Sequence, residues 1–126
     1  MITRRKDISM LQEIRQFIED NFKRGILVET ICKEFGVNRT KLQQGFNQLY
    51  GISVHAFVSR TRMEKARRML AEGDESVKVI AIECGYRSIS SFTRLFRRQH
   101  GMSPTQYRIL ALTTRKPGED FSRSDN

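Results

Sequence analysis

Two segments of this chain share one pattern around a glycine, and this repeat limits the possible folds more than any other feature. Residues 28–36 are VETICKEFG and residues 77–85 are VKVIAIECG, an offset of 49. Beyond the glycine the offset becomes 50, so the second copy holds one extra residue. The corresponding pairs are Val28 and Val77, Ile31 and Ile80, Gly36 and Gly85, Leu42 and Phe92, Phe46 and Phe96, Gly51 and Gly101, and Ser53 and Ser103. We therefore expect two copies of one small unit.

Each copy has the residue spacing of a helix-turn-helix. This motif needs a small residue where its helices cross, a turn glycine that tolerates positive φ, and an apolar residue that fills the turn. In the two copies these residues are Cys32, Gly36 and Val37, and Ala81, Gly85 and Tyr86. In each second helix, two apolar residues four positions apart are predicted to face the core. These are Leu42 with Phe46, and Phe92 with Phe96. The opposite face of each second helix is left exposed.

Apolar residues at helical spacing, bounded by glycines and capping residues, predict an all-α fold of seven helices without strands. The helices are expected over about residues 8–22, 28–35, 39–50, 54–71, 77–84, 89–99 and 104–112. Candidate N-caps are Asp7 or Ser9 for the first helix, and Ser53, Ser76 and Ser103 for three others. The predicted domains are a flexible basic arm (1–7), a first helix-turn-helix subdomain (8–52), a linker helix (53–72), a second helix-turn-helix subdomain (73–112) and a disordered tail (113–126).

The charge of the chain favours a polyanionic partner. Lysine and arginine total 23 against 14 acidic residues, which gives a net charge of +9. Such a balance is typical of proteins that bind nucleic acid or an anionic membrane surface, and it does not by itself choose between them. No apolar stretch of about 18 residues is present, and no signal-type apolar run follows the basic N-terminus. We therefore expect no membrane partner and a cytoplasmic, nucleoid-associated protein.

The sequence holds no pattern of catalytic or metal-binding residues. Cys32 and Cys84 each lie in an apolar helical pattern, so they are predicted to be small core residues rather than metal ligands or a disulfide. His55 and His100 do not supply the short spacing that a metal site needs. Paired carboxylates, a nucleophile elbow and a phosphate loop are also missing from the sequence. We therefore expect no enzymatic activity, no metal and no cofactor.

The exposed faces of the two second helices carry the residues that would contact a partner. They hold Arg39, Thr40, Gln43, Gln44 and Asn47 in the first copy, and Ile89, Ser90, Thr93, Arg94 and Arg97 in the second. Most of these are residue types that contact base edges or hold phosphates, although a generic helical bundle would leave them merely solvated. The helix between the copies is about 27 Å long, against about 34 Å for one turn of DNA. A monomer could thus reach two adjacent major grooves.

Four motifs carry a family resemblance. They are RMEKARRML (62–70), IAIECGY (80–86), SFTRLFRR (91–98) and GMSPTQYR (101–108). Together they resemble the DNA-binding domain of AraC/XylS-type bacterial transcription regulators, over about residues 8–112. The resemblance implies seven helices in two subdomains joined by a long helix, and binding as a monomer to bent double-stranded promoter DNA. It also implies a regulator that activates transcription by contacting RNA polymerase, which is the usual role in the family, although some members repress.

The resemblance further implies which residues contact DNA. Base contacts are expected from Thr40, Gln43 and Gln44 in the first recognition helix (39–50), and from Ile89, Ser90, Thr93 and Arg94 in the second (89–99). Phosphate contacts are expected from Arg39, Lys41, Asn47, Arg97 and Arg98. Arg94 is the first choice for a base contact, because arginine can bond guanine through two donors.

Two residues depart from the family pattern in the first copy. Leu27 stands where a serine or threonine cap is common, and Gly45 lies inside a helix where a larger residue is usual. A glycine there costs roughly 1 kcal/mol against alanine. Both departures predict a looser contact by the first copy.

Other interpretations stay open. The chain is either a stand-alone regulator or the C-terminal part of a longer protein that carries an effector or dimerisation domain. Nonspecific binding of a polyanion or a membrane surface is one alternative, and a protein-binding adaptor that docks on RNA polymerase is another. A preference for one DNA sequence at physiological salt would separate specific from nonspecific binding.

Overall fold

The computed structural model describes residues 4–23 and 28–114, and within these ranges the chain forms seven helices and no strand. The helices are α1 (Arg5–Asp20), α2 (Val28–Phe35), α3 (Arg39–Tyr50), α4 (Val54–Glu72), α5 (Val77–Glu83), α6 (Ile89–His100) and α7 (Pro104–Thr114). The predicted all-α fold is confirmed, and each predicted helix is present with ends that differ by only a few residues.

The chain divides into two compact units, one through Glu64 and one from Lys65, and each buries its own set of apolar residues. The core of the first unit consists of Leu11, Ile14, Ile18, Ile31, Val37, Leu42, Phe46, Val54, Phe57 and Val58. The buried apolar residues of the second unit are Ala66, Leu70, Ile80, Ala81, Cys84, Phe92 and Phe96. Full burial of one such Leu, Ile or Phe side chain contributes about 1.5–3 kcal/mol. The predicted periodicity therefore identifies the main source of stability in both units.

Helix α4 belongs to both units, because the boundary between them falls inside it. Phe57 and Val58, in its first half, pack in the core of the first unit. Ala66 and Leu70, in its second half, are buried in the second unit. The predicted linker helix over 53–72 corresponds to α4, and its apolar residues contribute to one core and then to the other.

The basic arm predicted over residues 1–7 differs from the structure, which starts α1 at Arg5. The N-cap residue is Arg4, with no side-chain cap hydrogen bond, so the predicted caps are not used. Asp7 is buried, and its carboxylate Oδ1 lies 3.3 Å from Lys41 Nζ. A carboxylate in the first turn also suits the positive end of the helix. The ion pair with Lys41 and the interaction with the helix end both stabilise a start of α1 that the local sequence does not indicate.

The disordered tail predicted over residues 113–126 lies mostly outside the described residues, which end at Thr114. Thr113 and Thr114 belong to α7, and both hydroxyls donate to the carbonyl oxygen of Leu110, at 3.1 and 2.8 Å. The start of the predicted tail is therefore helical. Residues 1–3 of the predicted arm also lie outside the described ranges.

Three predicted N-caps are confirmed by hydrogen bonds. The hydroxyl oxygen of Ser53 accepts from the backbone N–H of Ala56 at 3.0 Å, and that of Ser76 accepts from Val79 at 3.2 Å. Ser103 accepts from the N–H of Gln106, whose side chain in turn accepts from the N–H of Ser103, both at 3.1 Å. This reciprocal pair is a capping box, and it fixes the start of α7.

Arginines of the family motifs bond inside the units. Arg62 Nε donates to the carbonyl oxygen of Phe22 at 2.9 Å, just past the end of α1. In the second unit, Arg108 Nε donates to the carbonyl oxygen of Leu70 at 3.1 Å, in the last turn of α4. The carbonyl of Leu70 lies in the last turn of α4 and that of Phe22 follows α1, so neither has a hydrogen-bond partner within its helix, and each arginine supplies one. Arg62 and Arg108 therefore have a structural role.

The two cysteines are free thiols with different burial. Cys84 is buried, with its Sγ 3.9 Å from Met69 Sδ, whereas Cys32 is only partly buried. Among the described residues, no three His, Cys, Asp or Glu side chains are grouped so that they could hold a metal ion. None of the helices in the described ranges combines the length and apolarity needed to cross a membrane.

Candidate nucleic-acid interface

The predicted turn is present in both units with the same backbone geometry. Gly36 and Gly85 have positive φ, +63° and +95°, which a side chain would disfavour. The N–H of the residue after each glycine bonds back to the carbonyl of the small residue in the preceding helix, as the helix-ending Schellman motif requires. The two bonds are Val37 N–H to Cys32 O at 3.1 Å and Tyr86 N–H to Ala81 O at 2.9 Å. The turn therefore directs α3 and α6 away from α2 and α5 in the same manner.

The N-caps of α3 and α6 also correspond, although the sequence analysis did not identify them. Asn38 accepts a hydrogen bond from the backbone N–H of Lys41 at 2.8 Å, and Ser88 accepts from Ser91 at 3.1 Å. The sequence did contain a signal for them, because asparagine and serine commonly cap helices and each stands directly before a recognition helix. The extra residue of the second copy is Arg87, an exposed cation between the turn and the cap.

One face of each recognition helix is fixed in a core. Phe46 in α3 is fully buried and contacts the ring of Phe57, with centroids 5.5 Å apart. Phe96 in α6 is fully buried and contacts the ring of Tyr107 at 5.8 Å. Burial of these rings fixes the rotation of α3 and α6 about their own axes. The opposite face is therefore presented to solvent, as predicted.

The structure brings the candidate base-contacting residues to these open faces. Thr40, Gln43 and Gln44 are exposed on α3, and Ile89, Ser90 and Arg94 are exposed on α6. Thr93 is half-buried, because it lies next to Phe92 on the flank of the core-facing side. Ile89 keeps 43% of its surface exposed despite its apolar side chain. An apolar residue on a polar helix face is suited to contact a thymine methyl group.

The candidate phosphate-contacting residues are all exposed, but two of them already have partners. Arg39 Nη1 lies 3.1 Å from Glu29 Oε2, and Lys41 Nζ lies 3.3 Å from Asp7 Oδ1. Hydrogen bonds from its own backbone N–H and from Arg39 lower the pKa of Glu29, so this carboxylate is ionised at neutral pH. Asn47 is exposed on α3 without a side-chain partner among the described residues.

Helix α6 presents unpaired positive charge. It contains Arg94, Arg97 and Arg98 and no acidic residue. No carboxylate in the described ranges forms an ion pair with any of these three arginines. Their guanidinium groups are thus available to an external anion. The two units therefore combine the same turn with different numbers of unpaired cations on the recognition helix.

Of the two departures from the family pattern, only Gly45 can be located, since Leu27 lies outside the described residues. Gly45 is buried in α3. It lines a polar cleft of about 780 Å³ together with Arg4 and Asp7 of the α1 end. The corresponding residue of the second unit, Leu95, is half-buried. Gly45 therefore lies in the part of α3 that faces the start of α1.

Comparison with known proteins identifies the family. Residues 31–109 match the family model described as a helix-turn-helix domain. The chain is 34% identical over 103 residues to the virulence regulon transcriptional activator VirF of Yersinia enterocolitica, and 33% identical over 98 residues to the HTH-type transcriptional activator RhaS of Escherichia fergusonii. These alignments cover 82% and 78% of this chain but only 38% and 35% of the relatives. The chain thus spans little more than a third of their length.

A solved structure agrees with this assignment. The crystal structure of the DNA-binding domain of AdpA, the global transcriptional factor, in complex with a target DNA has a TM-score of 0.79 and 30% sequence identity. The alignment covers 83% of this chain and 95% of that one. The family model matches more than half of the chain and includes both turns. The chain therefore belongs to the AraC-type family of helix-turn-helix DNA-binding domains.

Proposed function

We propose that this chain is a sequence-specific transcription regulator that binds double-stranded promoter DNA with α3 and α6 in two adjacent major grooves. The observation that carries the proposal is the duplicated unit, in which one recognition helix has its rotation fixed by buried rings and its polar face exposed. A major groove about 12 Å wide admits one such helix. The shared helix α4, which is continuous across the boundary of the units, supports simultaneous binding by both.

Direct contacts with bases are proposed for seven side chains. They are Thr40, Gln43 and Gln44 on α3, and Ile89, Ser90, Thr93 and Arg94 on α6. Arg94 donates two hydrogen bonds to one guanine in this proposal, while the amides of Gln43 and Gln44 suit adenine. Each well-formed bidentate pair contributes about 1–3 kcal/mol of discrimination against the wrong base.

Phosphate contacts are proposed for Arg39, Lys41, Asn47, Arg97 and Arg98, and for the first-turn N–H groups of α3 and α6. The N-terminal N–H groups of a helix carry a partial positive charge and point outward, so they favour a phosphate. The exposed arginines Arg97 and Arg98 of α6 add full positive charges for phosphates. These contacts position the recognition helices but do not select a sequence.

The relatives support an activator. VirF and RhaS are described as transcriptional activators, and AdpA as a global transcriptional factor. For this chain we propose activation through contact with RNA polymerase, binding of DNA as a monomer, and action on the nucleoid. In vitro transcription with purified bacterial RNA polymerase tests the first point. A promoter with the binding site should give more transcript when the protein is added, whereas an unchanged or lower yield would contradict activation.

Selection of bound duplexes from a random DNA library at about 150 mM salt tests DNA recognition itself. An enriched, asymmetric site of two blocks about one helical turn apart supports two-groove binding by a monomer, which sedimentation of the complex should show at one protein per duplex. A single block would limit base contacts to one unit. Retention without enrichment that disappears as salt rises would reject sequence-specific recognition and leave nonspecific polyanion binding.

A further inference from the structure

Two cations on the candidate DNA face of the first unit are held by carboxylates of the same unit. Glu29 pairs with Arg39 and Asp7 pairs with Lys41, at 3.1 and 3.3 Å. We propose that Glu29 and Asp7 compete with DNA phosphates for these two cations and thereby limit how much the first unit contributes to DNA binding. The inference rests on the proposed function, because it identifies the side chains that weaken DNA contact at α3.

The location of both pairs supports competition. Arg39 is the first residue of α3 and Lys41 the third, so both flank the N-terminus that would bind a phosphate. The carboxylates come from other helices, Glu29 from α2 and Asp7 from α1. Glu29 accepts a hydrogen bond from Arg39 and Asp7 forms an ion pair with Lys41, and each carboxylate places a negative charge beside a cation that a phosphate would approach. A phosphate can bind the cation only by displacing this charge or by approaching against its repulsion.

The two pairs differ in exposure, which affects how easily a phosphate can replace the carboxylate. The side chains of Arg39 and Glu29 are 58% and 73% exposed, so solvent and salt screen their attraction. The Asp7 side chain is only 12% exposed, against 50% for Lys41. A shielded carboxylate interacts more strongly with its partner than an exposed one. Screening by solvent therefore favours displacement of Glu29, whereas its shorter, hydrogen-bonded contact with Arg39 opposes displacement. We expect the two carboxylates to compete to a similar extent.

The second unit has no carboxylate at the position of Glu29, which shows that the repeated fold does not require one there. Lys78 stands at the position of Glu29, while Ile89 and Ser91 stand at the positions of Arg39 and Lys41. Its three α6 arginines have no acidic partner among the described residues. The units thus differ in available charge although their turns and caps agree.

The test measures DNA affinity as a function of salt for Glu29→Gln and Asp7→Asn, in the whole chain and on the selected duplex. Each substitution keeps the size of the side chain and removes the competing charge. We expect each variant to bind about threefold more tightly than the wild type. For each freed cation that gains a phosphate, the plot of log K against log salt should steepen by about 0.9.

The matched controls are Glu34→Gln in α2 and Glu13→Gln in α1. Both residues are exposed, lie on the same helices, and form no ion pair among the described residues. These controls change the net charge equally, so they report the general effect of a lost negative charge. Glu29→Gln and Asp7→Asn should exceed them in both affinity and slope.

Double-mutant cycles show whether the effect passes through the paired cation. The gain from Glu29→Gln should disappear in an Arg39→Ala background, and the gain from Asp7→Asn in a Lys41→Ala background. Gains equal to the controls, or gains that survive loss of the cation, would overturn the proposal. Weaker binding by Glu29→Gln would also overturn it, because the carboxylate would then orient Arg39 rather than compete with phosphate.

Two further results separate this proposal from other failures. If the wild type selects no DNA sequence, the proposed function fails, and this inference with it. If the wild type selects a bipartite site but both variants match their controls, only the inference fails. Asp7 is buried, so its variant is checked for a native thermal transition, and Glu29→Gln decides the question alone if Asp7→Asn does not fold.

Discussion

The two units of this protein have the same backbone devices but different charges around their recognition helices. Both end the first helix of the motif with a positive-φ glycine, and both begin the recognition helix with a side-chain cap. In the first unit the cations nearest to the cap are paired with carboxylates. In the second unit, no acidic residue within residues 4–23 and 28–114 forms an ion pair with Arg94, Arg97 or Arg98. The two copies of the motif therefore keep the same backbone fold while the charges on their exposed faces differ.

This separation has a physical basis. The turn and caps depend on a few backbone hydrogen bonds and on buried apolar residues, which leave the exposed face free to vary. Charges on that face add little to folding, since exposed ion pairs contribute about 0–1 kcal/mol. They matter much more for binding a polyanion, where each phosphate contact affects the salt dependence. The second unit is therefore expected to dominate DNA binding, and the first to refine it.

The largest expected effect tests whether the units are stabilised separately. Phe96→Ala removes a fully buried ring that contacts Phe92 and Tyr107, and should lower the free energy of unfolding by about 3–5 kcal/mol. Hydrogen exchange should increase in α5–α7, whereas α1–α3 keep protection from their own core. Phe46→Ala is the matched change in the first unit and should give the reverse pattern. Equal loss of protection in both units would contradict two separate cores.

The next effect tests the shared turn. Gly85→Val places a β-branched residue at φ +95° and should lower the free energy of unfolding by about 1–3 kcal/mol, near the upper end. Gly36→Val should do the same in the first unit, at φ +63°. Arg87→Val is the control, because Arg87 lies in the same connection without positive φ. Urea denaturation measures all three, and a wild-type midpoint for either glycine variant would reject the strain argument.

A third prediction concerns the unequal share of the units in DNA recognition. Arg94→Ala should cost about 1–3 kcal/mol of binding free energy and relax the preference at one base pair. Gln43→Ala removes a neutral side chain from the first unit and should cost about 1 kcal/mol or less. Affinities for systematically changed sites measure both effects.

Arg68→Ala controls for the third prediction, since Arg68 is an exposed cation on α4 and gives the same loss of charge. It should lower affinity equally for all sites. If Arg94→Ala behaves like Arg68→Ala, Arg94 contacts phosphate rather than a base. If Gln43→Ala has the larger effect, the first unit dominates recognition and the comparison is reversed.

The smallest expected effect should be the same in both units. Asn38→Ala and Ser88→Ala each remove the side-chain cap of a recognition helix, and each should lower the free energy of unfolding by about 1 kcal/mol. Thermal unfolding measures the two changes. Thr105→Ala, at an exposed position of α7, is the neutral control. A clear difference between the two cap variants would show that the motifs differ in backbone stability as well as in charge.

Sequence reasoning identified the helices and turns because their signals are local. Apolar spacing indicates which side of a helix is buried, and a turn glycine marks where φ is positive. It missed the caps Asn38 and Ser88, because the offset of the repeat changes between the turn glycine and the recognition helix. It also predicted the apolar face of α4, but periodicity does not indicate which of the two cores covers each part of that face.

The sequence predicted which residues form the candidate DNA face, but it did not predict the ion pairs that Arg39 and Lys41 form there. The exposed positions on α3 and α6 agree with the prediction, apart from the half-buried Thr93. The sequence predicted that α1 begins after residue 7, whereas α1 begins at Arg5. The prediction was late because no local signal indicates that Asp7 is buried within the first unit. Whether these residues contact bases and phosphates stays a prediction for the experiments above.

The seven helices, the two turns and the family of this protein were predictable from the sequence, because each depends on residues close together in the chain. Which cations are available to a partner depends on the packing of the helices and was not predictable from the sequence. Glu29 and Arg39 are 10 residues apart, and Asp7 and Lys41 lie on different helices. Each pair forms because the packing of helices brings opposite charges within 4 Å. No pattern along the chain records that distance, since it depends on how apolar faces pack in three dimensions.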